Sequence, residues 1–323
     1  MNPNQWNEDR FQLGLKVVEQ ACRLSRDLQD KLEGDFYSKL DSSPVTLADL
    51  SVQALVGLQV REQFPQDSLL GEETAETLSE AVLNLIKEAI EPYCGQVDSA
   101  RLLACFHVSP RAERRWILDP IDGTKGFLRG DQFAVALAHQ NGGEMEFGLL
   151  GCPRLADQAP KRGEGCIGAA YRGRGSWQRP LASTEWVQIQ ASPRDDVTQT
   201  RLLRSFEASH TNETEIEDLV ANLQIKADPV LMDSQAKCLL LARGDAEAVI
   251  RCLSPKKPNY KEKLWDQAAG WMLITEAGGK VTDLSGKDLD FSGESRLENN
   301  SGILGSNGIL QQRLLSGLER VGN

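Results

Sequence analysis

Apolar residues recur at helical spacing in the first quarter of the chain. Four of them lie four, three and four positions apart, the spacing of one helix face: Phe11, Leu15, Val18 and Cys22. A second helix is predicted at residues 46–64, ending before Pro65, and a third at residues 76–91. The first quarter of the chain is therefore predicted to be helical.

Shorter apolar runs follow, each bounded by turn residues. They predict strands at residues 115–118, 133–138, 145–151 and 166–171. Gly-rich or polar turns, such as the one at residues 141–143, separate these runs. The last three runs therefore indicate an antiparallel sheet.

The pattern changes after about residue 181, where helices and strands begin to alternate. A helix is predicted at residues 234–242, a strand at 247–252, a helix at 264–276 and a strand at 280–282. Gly278 and Gly279 form a typical helix stop before the last strand. Alternation of this kind indicates an α/β unit. We therefore place a domain boundary near residue 182, with an α+β domain at residues 1–182 and an α/β domain at 183–323.

Bulk properties exclude some classes of protein. The net charge of −11 argues against a surface for nucleic acid or anionic membrane. No apolar run approaches the roughly 18–20 residues that span a bilayer. The N-terminus lacks the basic and apolar layout of a signal peptide, and the seven cysteines contain no C-x-x-C pair. We expect reduced, mostly buried cysteines and a cytoplasmic protein. The sequence leaves both a monomer and a dimer open.

Residues 116–124 carry the clearest chemistry. The apolar run Trp-Ile-Leu ends in Asp119 and Asp122, with Gly123 and Thr124 behind them. Two ionised carboxylates this close repel each other unless a cation neutralises them, and carboxylate oxygens suit Mg²⁺. The backbone N–H groups and hydroxyl that follow could bind an anion. Taken alone, the same residues could also form an acidic turn that caps a helix.

Three further acidic residues have both an ordinary and a functional interpretation. Glu72 follows an apolar pair, as at a strand end, but could lie in a solvated turn. Asp49 lies near a helix start. Asp266 lies in the predicted first turn of an apolar helix, where it could interact with the helix dipole. Its apolar neighbours imply burial, and a buried carboxylate must be paired or bind a metal.

Three motifs together resemble the lithium-sensitive, Mg²⁺-dependent phosphatase superfamily, which contains inositol monophosphatases, fructose-1,6-bisphosphatases and 3′(2′),5′-bisphosphate nucleotidases. They are Gly-Glu-Glu at 71–73, Asp-Pro-Ile-Asp-Gly-Thr at 119–124 and Trp-Asp-Gln-Ala-Ala-Gly at 265–270. The loop at residues 125–134 and the segments at 206–210, 233–237 and 283–290 resemble the bisphosphate nucleotidases. The match departs at Ala208-Ser209, where relatives often have Lys-Gly.

The resemblance implies a layered α/β/α/β/α sandwich and a set of site residues. The implied ligands of two or three Mg²⁺ ions are Glu72, Asp119, Asp122, Asp266 and the carbonyl oxygen of Ile121. Asp49 and Thr124 would hold and deprotonate the attacking water. The implied substrate contacts are Gly123, Thr124, His210, Ser234, Lys237, Arg251 and Asp266. The implied reaction removes the 3′-phosphate of 3′-phosphoadenosine 5′-phosphate, and of its phosphosulfate, as a step that clears a by-product of sulfate assimilation.

Charge counting supports the need for metal. Asp49, Glu72, Asp119, Asp122 and Asp266 together carry −5 when ionised, and a phosphate monoester adds about −1.5 to −2. Two Mg²⁺ ions bring +4 and a third brings +6, so two or three ions would balance this assembly.

Two basic residues are candidates for binding a second phosphate. Lys237 and Arg251 could be ordinary surface charges, but both lie beside apolar runs, which favours inward-facing ends that bind a second phosphate.

One alternative function is an inositol (poly)phosphate 1-phosphatase or sugar phosphatase of the same superfamily. The other is a non-catalytic nucleotide or metal sensor with a degenerate site.

Overall fold

The computed structural model describes residues 2–32, 44–74, 78–107, 111–206 and 212–321. The helices are α1 Asp9–Leu32, α2 Pro44–Gln63, α3 Glu80–Cys94, α4 Ser99–Ala104, α5 Thr124–Leu128, α6 Glu213–Asn222, α7 Ala236–Ala242, α8 Ala268–Glu276 and α9 Gln311–Val321. The strands are β1 Ser68–Gly71, β2 Arg114–Asp122, β3 Ala134–Asn141, β4 Glu144–Cys152, β5 Cys166–Tyr171, β6 Ser176–Pro180, β7 Val187–Ile189, β8 Leu202–Arg204, β9 Val230–Leu231, β10 Ala248–Arg251, β11 Lys280–Thr282 and β12 Ile303–Ser306.

The strands form two sheets. The first has seven strands in the order β1 to β7; β1 and β2 are parallel, and every later neighbour is antiparallel. The antiparallel sheet predicted from the sequence is therefore confirmed. The second sheet has the order β11-β12-β10-β8-β9 and mixes parallel with antiparallel pairs.

Helices and sheets alternate in five layers, as the resemblance implied. Helices α1 to α3 cover one face of the first sheet, α7 and α8 lie between the two sheets, and α6 and α9 cover the far face of the second. Small residues allow the middle layer to approach the first sheet closely. A side chain at Gly148 would lie 2.8 Å from the carbonyl oxygen of Ala269 in α8. The middle helices are thus held against the strands that carry the acidic residues.

Several helix ends differ from the prediction by a few residues. The third helix begins at Glu80, where the Ser79 hydroxyl accepts a hydrogen bond from the Val82 N–H. It continues past Pro92 and ends at Gly95, whose φ of +68° favours glycine. The helix predicted at residues 264–276 begins at Ala268. The four residues before it form a turn instead, because the segment is held to the loop at 295–297.

Strand β2 is longer than predicted. It continues through Asp122, so the two aspartates lie within its last residues. Its register with β3 shifts between Asp119 and Asp122. Pro120 lies at this shift and has no N–H to pair with a neighbouring strand. The irregularity leaves the end of β2 free to present polar side chains away from the sheet.

The two sheets also bear on the predicted domain boundary near residue 182. Strand β7 belongs to the first sheet and lies just beyond that position, at Val187–Ile189. The second sheet begins at Leu202. The division into residues 1–182 and 183–323 stays a prediction.

Two sequence expectations about cysteines and membranes can be compared with the structure. All seven cysteines are free thiols, and five of them are buried. Within the described ranges, no helix is both long and apolar enough to cross a membrane.

Candidate active site

A cavity of about 480 Å³ opens at the end of β2 and is lined by residues from both sheets. The predicted site residues that line it are Glu72, Asp119, Ile121, Asp122, Gly123, Thr124, Ser234, Lys237, Arg251 and Asp266. Asp49 is buried behind this wall, 5% exposed, where its charge interacts with Glu72 and Glu73. His210 lies outside the described residues. The fold therefore gathers segments that are up to about two hundred residues apart in the chain.

The turn after β2 brings the chain close to the second half of the molecule. Gly123 has a φ of +93°, in the left-handed region that favours glycine, and a side chain there would lie 2.9 Å from Cβ of Ser234. Ser234 itself has a φ of +64°, which is uncommon for a residue with a side chain. A glycine turn and a strained serine thus meet at the cavity wall, and backbone strain of this kind is found often at functional sites.

The Gln53 side chain fixes the position of the acidic turn after β1. Gln53 is on α2, one helical turn after Asp49. Its amide oxygen accepts a hydrogen bond from the Glu73 N–H at 3.0 Å, and its amide nitrogen donates to the Glu73 carbonyl at 2.7 Å. One side chain thus satisfies both backbone hydrogen-bonding groups of Glu73, so the turn that carries Glu72 is held against α2 beside Asp49.

A second buried amide, Gln235, links three segments of the site. Its backbone N–H donates to the Asp122 carboxylate at 2.6 Å. Its side chain donates to the Trp265 carbonyl at 2.9 Å and accepts from the Gly270 N–H at 3.2 Å. Because these two backbone groups flank Asp266, Gln235 sets where that carboxylate stands relative to Asp122.

The acidic residues of the cavity raise one another's pKa values. Burial is the largest cause for Asp119, and the charges of Asp122, Glu72, Asp266 and Asp49 raise its pKa further. Burial followed by the charge of Asp122 raises the pKa of Asp266 to about 8.

Glu72 is exposed towards the cavity on one side. The protein atoms that desolvate its other side, and then the charges of Glu73 and Asp122, raise its pKa to about 7. The pKa of Asp122 is also raised by burial, although the Gln235 N–H and the Lys237 ammonium act in the opposite direction. This wall would therefore gain stability from a cation.

The donor set suits a hard divalent cation. Asp119 is 2% exposed, and its Oδ1 atom accepts no hydrogen bond from the residues that the structure describes. A buried carboxylate oxygen without a partner is costly and suits a metal ligand. Carboxylate and carbonyl oxygens are the ligands that Mg²⁺ prefers. In the described part of the chain, no three His, Cys, Asp or Glu side chains already stand at the mutual distances of a closed metal site.

Two cationic side chains line the same cavity. The Lys237 ammonium donates a hydrogen bond to the Ser205 hydroxyl at 2.7 Å, and burial lowers its pKa. Arg251 ends β10, and its Nε atom lies 3.0 Å from a carboxylate oxygen of Glu262. The predicted inward position of both basic residues is confirmed, since each lines the cavity.

The chain that forms this cavity matches a known protein family. The model of the inositol monophosphatase family matches residues 11–323, almost the whole chain. The chain belongs to the inositol monophosphatase family.

Relatives from several organisms are similar over nearly their full length. A protein of Emericella nidulans named 3′(2′),5′-bisphosphate nucleotidase is 33% identical, with 98% of this chain and 99% of the relative covered. Two further proteins of the same name are each 35% identical to this chain. The match to the Schizosaccharomyces pombe protein covers 91% of this chain and 90% of that protein. The match to the Dictyostelium discoideum protein covers 95% of this chain and 96% of that protein.

Solved structures confirm the fold of this family member. An IMPase of Thermotoga maritima is 18% identical and superposes with a TM-score of 0.67 over 98% of both chains. An inositol monophosphatase from Anabaena is 19% identical, with a TM-score of 0.60 over 96% of this chain and 94% of the other. At this identity the likeness concerns the layered sandwich alone.

Sequence reasoning did not identify the polar residues that support the family site: Gln53, Ser205, Gln235 and Glu262. Gln235 lies within a motif that carries the resemblance, but the resemblance implies roles only for its neighbours Ser234 and Lys237. Gln53 stands four residues after Asp49, the spacing of one helix face, which is a signal that could have suggested it. The partners of Ser205 and Glu262 lie far away in sequence, so no local pattern indicates them.

Proposed function

We propose that the protein is a Mg²⁺-dependent phosphatase that removes the 3′-phosphate of 3′-phosphoadenosine 5′-phosphate, releasing AMP and phosphate, and also acts on the phosphosulfate analogue. The observation that carries this proposal is one cavity lined both by carboxylates and by two cationic side chains. We call the carboxylates the acidic wall of the cavity, and Lys237 and Arg251 its basic wall. A bisphosphate nucleotide offers one phosphate to each wall, and the relatives' names support this class of substrate.

The acidic wall is the proposed metal site. Two or three Mg²⁺ ions would be held by the carboxylates of Glu72, Asp119, Asp122 and Asp266 and by the carbonyl oxygen of Ile121. When bound, Mg²⁺ neutralises these charges, lowers the pKa of a water molecule and stabilises charge on the phosphoryl oxygens. Hydrolysis of phosphate monoesters is among the slowest uncatalysed reactions, so such electrostatic stabilisation is required.

Asp49 and Thr124 are the proposed residues for the attacking water. The Thr124 hydroxyl would hold the water, and Asp49 would accept its proton. Burial, followed by the charges of Glu73 and Glu72, raises the pKa of Asp49, which makes its carboxylate a better proton acceptor. The backbone of Gly123 and Thr124 would hold the oxygens of the reacting phosphate.

The basic wall is the proposed site for the second phosphate and the nucleoside. Lys237 and Arg251 would bind the non-reacting phosphate, Arg251 through two N–H groups at once. Ser234 stands beside the turn at Gly123, and it would contact the nucleotide. His210 is proposed to take part as well, on the basis of the resemblance.

A panel of substrates tests this function. We expect phosphate release from adenosine 3′,5′-bisphosphate to exceed that from inositol 1-phosphate and fructose 1,6-bisphosphate, and to require Mg²⁺. A clear preference for inositol 1-phosphate would instead assign the protein to the inositol phosphatases. The Anabaena inositol monophosphatase shows that this fold also occurs in that group. Binding of the bisphosphate without phosphate release in Mg²⁺ would favour a sensor.

The remaining expectations belong to the same proposal. Lithium at millimolar concentration should inhibit the reaction, and indifference to it would count against the subfamily. A cytoplasmic setting is supported by the free thiols of all seven cysteines.

A further inference from the structure

Glu262 is a buried carboxylate that the proposed chemistry does not use. It lies between β10 and α8 and is 3% exposed. Neither of its carboxylate oxygens accepts a well-directed hydrogen bond from the residues that the structure describes. Its main chain is fixed, because the Leu297 N–H donates to the Glu262 carbonyl at 2.9 Å. A charge held in such a place needs a counter-charge or another reason to be there.

The counter-charge is Arg251. Its Nε atom lies 3.0 Å from Oε1 of Glu262, and its side chain is 33% exposed, towards the cavity. The Tyr260 ring lies against the same guanidinium, with 5.6 Å between the ring centroid and the central carbon. Contacts at the Nε edge and at the face both restrict the group. The four N–H groups at the terminal nitrogens are then the ones that a phosphate in the cavity could reach.

Carboxylates on the metal side also attract Arg251. Burial acts to lower its pKa, but the charge of Glu262, then that of Asp266, Tyr260 and Asp122, raises it above the ordinary value. Glu262 is the largest of these influences, and its contact at Nε holds the guanidinium in its present orientation. Without that charge, we expect Arg251 to turn towards Asp266 and Asp122, where it would no longer suit a second phosphate.

We propose that Glu262 is a positioning residue that holds Arg251 ready for the non-reacting phosphate and thereby sets the preference for bisphosphate over monophosphate substrates. This inference rests on the proposed function. It assigns to Glu262 no contact with the substrate. Its effect is carried by the planar guanidinium, which binds phosphate through two parallel N–H groups only when its orientation is fixed.

The variant Glu262→Gln tests the inference, because it keeps the shape of the side chain and removes its charge. We expect the KM for adenosine 3′,5′-bisphosphate to rise on the order of tenfold, the scale of a hydrogen bond to a charged group. The KM for adenosine 3′-monophosphate should change less than about twofold, and kcat on both should stay within about twofold. Glu146→Gln is the matched control, since it alters a partly buried glutamate remote from the cavity.

A double-mutant cycle separates positioning from general damage. In an Arg251→Ala background, Glu262→Gln should cause no further rise in the KM for the bisphosphate, because the group that it orients is gone. An additional rise in that background would show that Glu262 acts by another route. If Glu262→Gln does not fold, Glu262→Asp decides: it keeps the charge but shortens the reach, and should cause a smaller rise confined to the bisphosphate.

Measurements on the wild-type protein distinguish a failure of the proposed function from a failure of the inference about Glu262. If it shows no preference for the bisphosphate, the proposed function fails. If it shows the preference and Glu262→Gln leaves the ratio of the two KM values unchanged, the function stands and the inference about Glu262 is wrong.

Discussion

Strand β2 connects two clusters of buried charged residues with opposite character. Near its start, Trp116 faces a cluster around Asp67, whose side chain is 1% exposed. Near its end, Asp119 faces the cavity and is 2% exposed. Both side chains are buried beside the same strand, so burial alone does not distinguish them.

In the cluster around Asp67, the carboxylate has its hydrogen-bond partners within the protein. Arg10 donates two hydrogen bonds to its carboxylate, at 2.7 and 3.0 Å, and the Trp116 indole donates a third at 3.0 Å. Burial acts to raise the pKa of Asp67, but Arg10 and Trp116 outweigh it, and the pKa lies below its ordinary value. Beside it, His139 bonds Glu146 at 2.9 Å. The Asp67 carboxylate therefore has its cationic partner, Arg10, within the protein.

The cluster at the cavity has the opposite sign of pKa shift. Burial and the neighbouring carboxylates raise the pKa of Asp119 and Asp266. A buried acid with a cationic partner stabilises the fold, whereas buried acids that face one another store repulsion until a cation arrives. The sign of the shift therefore separates the structural cluster from the one proposed to act on substrate.

The largest effect is expected from Asp119→Asn. Activity in Mg²⁺ should fall at least about 10³-fold, because a ligand of the proposed metal site is lost. The free energy of unfolding in metal-free buffer should stay equal or rise, since one repelling charge is removed. Phosphate-release assays and urea unfolding measure the two outcomes. Retained turnover would remove the metal role of Asp119.

The matched change in the other cluster is Asp67→Asn. Here we expect activity within about twofold of wild type but a loss of about 2 kcal/mol in the free energy of unfolding, because Arg10 loses its charged partner. The two variants should thus behave in opposite ways in the same pair of assays. Similar results for both would show that the two clusters do not differ as we propose.

A smaller effect is expected from Gln235→Met. The change preserves volume and leaves the Trp265 carbonyl and the Gly270 N–H without their partner, so the turn carrying Asp266 should loosen. We expect about a tenfold fall in kcat, on the scale of one lost hydrogen bond, and a higher Mg²⁺ concentration for half-maximal activity.

The control for this variant is Gln140→Met. Gln140 is another buried amide, and it donates to the Gly143 and Phe291 carbonyls away from the cavity. It should lose stability without any shift in Mg²⁺ dependence. An equal shift in both variants would mean that Gln235 has only a structural role.

The smallest effect is expected from Glu146→Gln. The hydrogen bond with His139 lowers the pKa of Glu146 from 4.5 to about 2. A lowered pKa means that the ionised group stabilises the folded state above the unfolded value and loses that contribution as pH falls. Wild type should therefore exceed the variant by about 1 kcal/mol at pH 7. The difference should shrink below pH 4.5 in urea unfolding at several pH values, and a difference independent of pH would contradict it.

Much of this architecture could be predicted from the sequence. Helical spacing at Phe11 to Cys22 and alternating strands at residues 133–171 are local patterns, and the structure confirms both. The acidic motifs could also be recognised, because each is a short run of neighbouring residues. Their gathering in one cavity followed from the family resemblance, and the roles of the individual carboxylates stay predictions.

Helix α8, which follows Asp266, shows where local patterns fail. Its apolar residues predicted a start at 264, but the Leu264 N–H bonds the Ser295 carbonyl, and the helix begins at Ala268. A hydrogen bond over thirty residues leaves no trace in a helical pattern. The same holds for Gln235 with Trp265 and for Arg10 with Asp67, whose partners are set by packing.

The sequence by itself determined which acidic residues this protein has and the local elements that carry them. Only the tertiary structure decided which of its charges have a partner. Asp67 and Asp119 each lie within two residues of a short apolar run, and neither position by itself shows a partner. One lies 2.7 Å from Arg10, whereas the other faces further carboxylates across a cavity. Electrostatic energy depends on distances through space, and only folding sets those distances.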